Sequence, residues 1–271
     1  MRRVANRTPA RRFSRMNDVE AVEKPTEPLS STVGAGLIPT PFWFRWSFRC
    51  PRVGGEPSRG RRKAKAGAAP GDPASVQSQL PPLDDTHRLP DVPGMVAPQR
   101  LSTAWVGWRP QGLRLRVEGR TAPVFNQDQP FRSSGFQVWI DTRDTRDIHR
   151  ASRYCSRFLA NLEPSGGRRG VDAWKVQLQR KPIARALAEP PNVPLDQVTS
   201  HAELLDDGRG WAIDLELPAT VVYGFDPEVN RRLGFMLQVF HPLSHDDFWG
   251  VGKDFPIGED PSLWATLELV D

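Results

Sequence analysis

Apolar and polar residues alternate in short runs through most of the chain. In "PFWFRWSFRC", Phe42, Phe44, Trp46 and Phe48 alternate with Trp43, Arg45, Ser47 and Arg49. A period of two is that of a β-strand with one apolar face. From about residue 83 the pattern becomes regular. "STAWVGW" (102–108) and "GLRLRVEG" (112–119) are alternating runs joined by "RPQ", which predicts a hairpin. Leu113, Leu115 and Val117 share one face of the second run, and Arg114, Arg116 and Glu118 the other. "GFQVWID" (135–141), "SRYCSRFLANLEP" (152–164) and "VDAWKVQLQR" (171–180) predict three more strands. "VTSHAELLDDGRGWAIDLELP" (198–218) predicts two strands around "DDGRG", and "RRLGFMLQVFH" (231–241) and "SLWATLELV" (262–270) close the chain. "PATVVYGFDP" is the one place for a short helix or tight turn. Short strands separated by Gly, Pro and Asp turns predict an all-β fold, an antiparallel, jelly-roll-like β-sandwich of nine to eleven strands.

Composition sets the rest of the organisation. The 271 residues include 27 prolines and only 38% hydrophobic residues, so part of the chain is expected to lie outside a packed core. The net charge of +5 is local. Residues 1–33 hold seven Arg/Lys against four Asp/Glu, residues 34–100 hold ten against five, and the remainder 20 against 23. Residues 1–35 are polar and aperiodic and read as a disordered basic tail. Residues 36–50 read as an N-terminal strand that joins the sandwich. The run 51–82 is rich in Gly, Pro, Ala and charge and reads as a flexible linker. The sandwich itself is expected over 83–271. The basic residues stand in no zinc-finger or RNP-like context, which does not favour nucleic acid. No apolar run is long enough for a transmembrane helix, and "MRRVANRTPARRFSRM" lacks the apolar core of a signal peptide, so the chain as written is expected in the cytoplasm. Cys50 and Cys155 have no metal-ligand spacing; two free thiols are expected, with pairing the alternative.

Three clusters carry candidate chemistry. In "DTRDTRDIHR", Asp141, Asp144 and Asp147 supply hard oxygen ligands for calcium, or His149 a base for hydrolysis. Arg143 and Arg146 interleave the acids, and no nucleophile motif accompanies the histidine, so a strand end with exposed ion pairs is the expectation. In "HPLSHDD", His241 and His245 would clasp a metal only on a helix, which Pro242 opposes. No metal and no cofactor is therefore expected. The aromatics say more. Phe136, Val138 and Ile140 form a core row, leaving Trp139 on the other face with Gln137 and Asp141. An indole beside hydrogen-bonding groups suits a sugar ring, whose C–H face stacks while its hydroxyls find polar partners. The alternative is that a loop or the N-terminal strand covers that face.

Five of these segments, in order, resemble the family 9 carbohydrate-binding modules and the related DOMON-like sandwiches. They are "WRPQGLRLRVEG", "GFQVWIDTRD", "GWAIDLELP", "RLGFMLQVF" and "DPSLWATLEL", spread over residues 83–271. The resemblance implies a non-catalytic, sugar-binding sandwich whose members clamp the ring between two tryptophans. At the first clamp position, ten residues before Asp141, this chain has Phe131. At the second, two before "DPS", it has Gly258, with Phe255 and Trp249 as nearby substitutes. Gln137 stands where the family has a glutamate, and Arg153 or Arg157 where a strand arginine contacts sugar. Haem-holding DOMON relatives use Met and His; Met236 and His241 lie on a strand of the right kind, and no other feature points to haem. The reading is a non-catalytic carbohydrate-binding-like module with Phe131, Gln137, Trp139, Arg157, Trp249 and Phe255 around the ligand. The partner is then a mono- or oligosaccharide. The alternative is a protein-interaction or structural sandwich without sugar binding.

Overall fold

In a computed structural model, residues 46–54, 80–91, 99–167 and 170–271 are described. The expected tail, the first part of the N-terminal strand and most of the linker lie outside these residues. Eleven strands are found among the described residues: β1 (Ser47–Pro51), β2 (Ser102–Arg109), β3 (Gly112–Gly119), β4 (Gly135–Asp141), β5 (Cys155–Gly167), β6 (Gly170–Arg180), β7 (Thr199–Leu205), β8 (Gly210–Pro218), β9 (Arg232–Phe240), β10 (Asp247–Trp249) and β11 (Ala265–Val270). Among the described residues helical structure is limited to single 3-10 turns such as Pro130–Arg132 and Pro261–Leu263. The strands form two sheets. One has the order β1-β11-β9-β4-β5-β6, with β10 also on β9; the other has the order β2-β3-β8-β7.

The period-two pattern explains why these sheets stack. Ala104, Val106 and Trp108 of β2, Leu113, Leu115 and Val117 of β3, and Trp211, Ile213, Leu215 and Leu217 of β8 all point one way. They meet Phe136, Val138 and Ile140 of β4, Phe158, Ala160 and Leu162 of β5, and Leu233, Phe235, Leu237 and Val239 of β9 in one continuous core. Each of these side chains alternates with a residue of the opposite face, so the pleat sorts them without further instruction. Trp174, Val176 and Leu178 on β6 close one flank. Glycine is required where a backbone approaches closely. At Gly112 (φ 152°), a Cβ would lie 2.1 Å from the Leu217 carbonyl oxygen, and at Gly135 (φ 157°) 2.3 Å from that of Ala160.

The N-terminal strand keeps its expected face, with Phe48 and Cys50 inward and Ser47 and Arg49 outward. It differs in direction. β1 pairs with β11 in parallel, Phe48 opposite Leu267, so the sandwich is antiparallel except at this edge. A strand joined to its partner by the whole intervening chain has no hairpin to impose antiparallel pairing. The ends of the expected linker are packed. The Val53 amide bonds the Trp108 carbonyl at 2.9 Å, and Leu80 and Pro81 are buried. β10 is an addition to the expected set, too short to show a period. Cys50 and Cys155 are free thiols. Cys50 belongs to the main core and Cys155 to a second cluster on the outer face of the large sheet. Burial pushes the Cys155 thiol up to about 12, helped by the Asp141 carboxylate. No helix among the described residues is long and apolar enough to cross a membrane.

Candidate functional site

The site is built on the outer face of the large sheet, where register puts polar side chains in a row. Gln137 on β4 lies opposite Gln238 on β9 and opposite Leu159 on β5, with Arg157 one step along opposite Trp139. These side chains share a face because β4 contributes its odd positions, β5 its odd positions and β9 its even ones.

A directed hydrogen-bond chain connects them. Arg157 donates to Gln137 Oε1 from Nη2 at 2.6 Å and from Nε at 3.0 Å. Gln137 Nε2 donates to Gln238 Oε1 at 2.5 Å. Gln238 Nε2 donates to Asp246 Oδ2 at 2.7 Å. A cation can only donate and a carboxylate can only accept, so both amides are forced head to tail in one orientation. The chain therefore has a positive end at Arg157 and a negative end at Asp246. Burial lowers the Arg157 pKa, but a guanidinium remains charged throughout the accessible range.

Phe131 borders the positive end. It sits on the 3-10 turn Pro130–Arg132, held by Asn161 Nδ2, which donates to the Pro130 carbonyl. Its ring meets Phe240 edge-on with centroids 5.7 Å apart, and the Arg157 guanidinium lies 5.8 Å from its centroid. Phe131 remains 48% exposed. Phe131, Arg157, Gln238 and Asp246 are thus the accessible groups. Gln137 is only 5% exposed and acts by orienting its neighbours.

The other expected ligand contacts are placed differently. Trp139 is 1% exposed. It packs with Ala151, Cys155, Ile183, Met236, Val251, Ile257 and Trp264 in the second cluster. The covering loops after β6 and β10 each carry isolated apolar residues, and burying an indole against them is more favourable than leaving it to water. Its ring is therefore not an open platform in this structure. Trp249 is 0% exposed, because β10 turns it into the main core under the Arg100 guanidinium, 4.1 Å away. It does not stand in for a second clamp. Phe255 is half-buried against the cluster around Trp139. Of the two candidate arginines, Arg157 joins the chain, whereas Arg153 bonds the Tyr154 hydroxyl at 3.2 Å.

The aspartate loop is structural. Asp141 is buried and accepts the amides of Arg143 at 2.9 Å and Thr145 at 2.7 Å, closing the turn that leaves β4. Asp144 pairs with Arg146 at 2.9 Å and Arg232 at 3.2 Å. These pairs sit on a nearly covered carboxylate, so they are less exposed than the alternating charges suggest. His149 Nδ1 contacts both Asp260 Oδ2 and Ser262 Oγ at 3.0 Å. One nitrogen cannot relay a proton between the two, so this is no nucleophile–base–orienter set. Met236 lies in the second cluster, whereas His241 lies beside Trp211 of the main core and bonds Asp247 at 3.3 Å. Among the described residues no group of three or more His, Cys, Asp or Glu is placed to hold a metal ion.

Gln238 and Asp246 were not among the residues that the sequence singled out as contacts. Gln238 is the one polar side chain inside the apolar run "GFMLQVF", which marks it, but its partnership with Gln137 depends on register.

No protein-family model matches the chain, and no curated protein sequence matches it. Among solved structures, a family 9 carbohydrate-binding module from Caldicellulosiruptor kristjanssonii in complex with glucose is similar at 13% identity and a TM-score of 0.47, covering 82% of this chain and 95% of that one. A structure of such a module from the same organism in complex with cellotriose is similar at 11% identity and a TM-score of 0.45, covering 64% of this chain and 77% of that one.

Proposed function

We propose that this protein is a non-catalytic carbohydrate-binding β-sandwich whose ligand lies over Phe131, Arg157, Gln238 and Asp246. One observation carries the reading: a half-exposed aromatic ring stands at the end of a directed Arg–Gln–Gln–Asp hydrogen-bond chain on a sheet face. A pyranose needs both features. Its C–H face covers a ring, and its hydroxyls, each donor and acceptor, bridge groups whose polarity is already fixed. Orientation of the amides before binding lowers the ordering cost of association.

The alternative, a protein-interaction sandwich, lacks a comparable focus. The exposed apolar side chains Leu187, Leu204, Val229 and Leu243 lie on separate segments among the described residues. Calorimetric titration with glucose and cellobiose tests the proposal. Millimolar or tighter binding, weakened about tenfold or more by Phe131→Ala (about 1.4 kcal/mol), is expected. Absence of binding at tens of millimolar sugar, or binding untouched by Phe131→Ala, refutes it.

A further inference from the structure

The positive end of the chain faces the Trp139 and Phe131 rings, 5.1 and 5.8 Å away, but has no acidic partner among the described residues. A guanidinium has five N–H donors. At Arg157 two go to Gln137 Oε1 and one, from Nη1, to the Pro182 carbonyl at 3.4 Å. Both acceptors are neutral. One N–H remains on each terminal nitrogen. Among the described residues no carboxylate lies within ion-pair distance of Arg157, although thirteen other pairs among them join an arginine or lysine to an acid. Burial acts against its charge and lowers its pKa. The adjacent Lys181, whose amide bonds the Arg157 carbonyl at 2.9 Å, is also without an ion pair among these residues. The one acid of the chain, Asp246, bonds Gln238, two strands away from Arg157 and about 10 Å off at ordinary strand spacing.

A partly desolvated cation with two donors free is costly unless something completes it, and a planar carboxylate matches a guanidinium edge in shape and charge. On this basis, and resting on the sugar-binding reading above, we infer that the ligand is an acidic sugar of the hexuronate class. Its carboxylate lies at the Arg157 end, its ring beside Phe131, and its hydroxyls toward Gln238 and Asp246. The fixed polarity of the two amides gives this direction and disfavours the reverse, which would set the carboxylate against Asp246.

The test is titration of the full chain with D-glucuronate, D-glucose and acetate, at 20 mM and at 500 mM NaCl, for the wild type and Arg157→Gln. Expected are glucuronate binding at least about tenfold tighter than glucose at low salt, narrowing of that gap at high salt, and its closure in Arg157→Gln, where the glucuronate and glucose affinities become equal. Equal binding of glucose and glucuronate overturns the inference but leaves the sugar-binding reading standing. Acetate as tight as glucuronate also overturns it, since the sugar then contributes nothing. No binding of either sugar overturns both. Should Arg157→Gln not fold, the salt dependence of the wild type alone decides.

Discussion

Trp139→Ala separates two roles for one residue. A platform tryptophan would be lost without cost to stability, because its ring would face water in the free protein. The observed Trp139 is enclosed by Ile183, Met236, Val251, Ile257 and Trp264. Truncating a buried tryptophan removes transfer free energy and leaves a cavity, together about 3–5 kcal/mol. Of a total stability of roughly 5–15 kcal/mol for a domain, that is a large share. It corresponds to a fall in Tm of roughly 6–20 °C for a domain of this size. Urea and thermal unfolding followed by far-UV circular dichroism read the change without interference from the other tryptophans. Trp139→Phe should recover more than half of the loss, since most of the buried area is kept. A Trp139→Ala protein within 0.5 kcal/mol of wild type would show that the loops after β6 and β10 do not cover the ring, and the second cluster would have to be abandoned.

Three further outcomes follow from other contacts. Phe131→Ala should cost only about 1 kcal/mol of stability, because half the ring is already in water and the Phe240 contact is a single edge-on pair; the same unfolding assay checks it. Asp214→Ala should cost about 3–5 kcal/mol, since Asp214 is buried between Arg114 and Arg116 and its removal leaves the buried Arg114 only backbone carbonyls and no paired carboxylate; the double change Arg114→Met with Asp214→Leu should cost less. Burial acts on Asp247 to raise its pKa, but hydrogen bonds from His241, Ser102 and the Leu101 amide outweigh it and hold the carboxyl below its ordinary value. A depressed carboxylate stabilises the fold above the ordinary carboxylate range and loses that contribution as pH falls through it. Asp247→Asn should therefore be less stable at neutral pH and show a shallower loss of stability on acidification than wild type.

Most of the fold was legible because a period of two survives in most of the long strands, such as β3, β4 and β9, though not in β7. Leu113, Leu115 and Val117 lie inside as the alternation requires, and so do Phe136, Val138 and Ile140. The three-residue β10 has no period to read. The parallel pairing of β1 was hidden because a long connection carries no turn signal. The geometry of the candidate site was legible in part. Phe131, Gln137 and Arg157 meet on one face, yet the resemblance that pointed to them could not choose between Arg157 and Arg153. That choice, and the link from Gln137 to Gln238, depend on cross-strand register, which a sequence without hairpins between β4 and β9 leaves open. The cover over Trp139 was illegible for another reason. Ile183, Val251 and Ile257 are single apolar residues in Pro- and Gly-rich loops, and nothing periodic announces that they fold back onto a sheet.

The central claim is that Phe131, Arg157, Gln238 and Asp246, linked through Gln137, form one oriented ligand site. Two-dimensional NMR of the side-chain N–H groups tests it most directly. On titration with glucose and with glucuronate, the Arg157 Nε–H and the Gln238 and Gln137 amide signals should shift together along one saturable curve, with the indole signals of Trp139 and Trp249 unmoved. Sugar-dependent shifts confined to other residues, or a shifting Trp139 indole with a silent Arg157, would contradict the account.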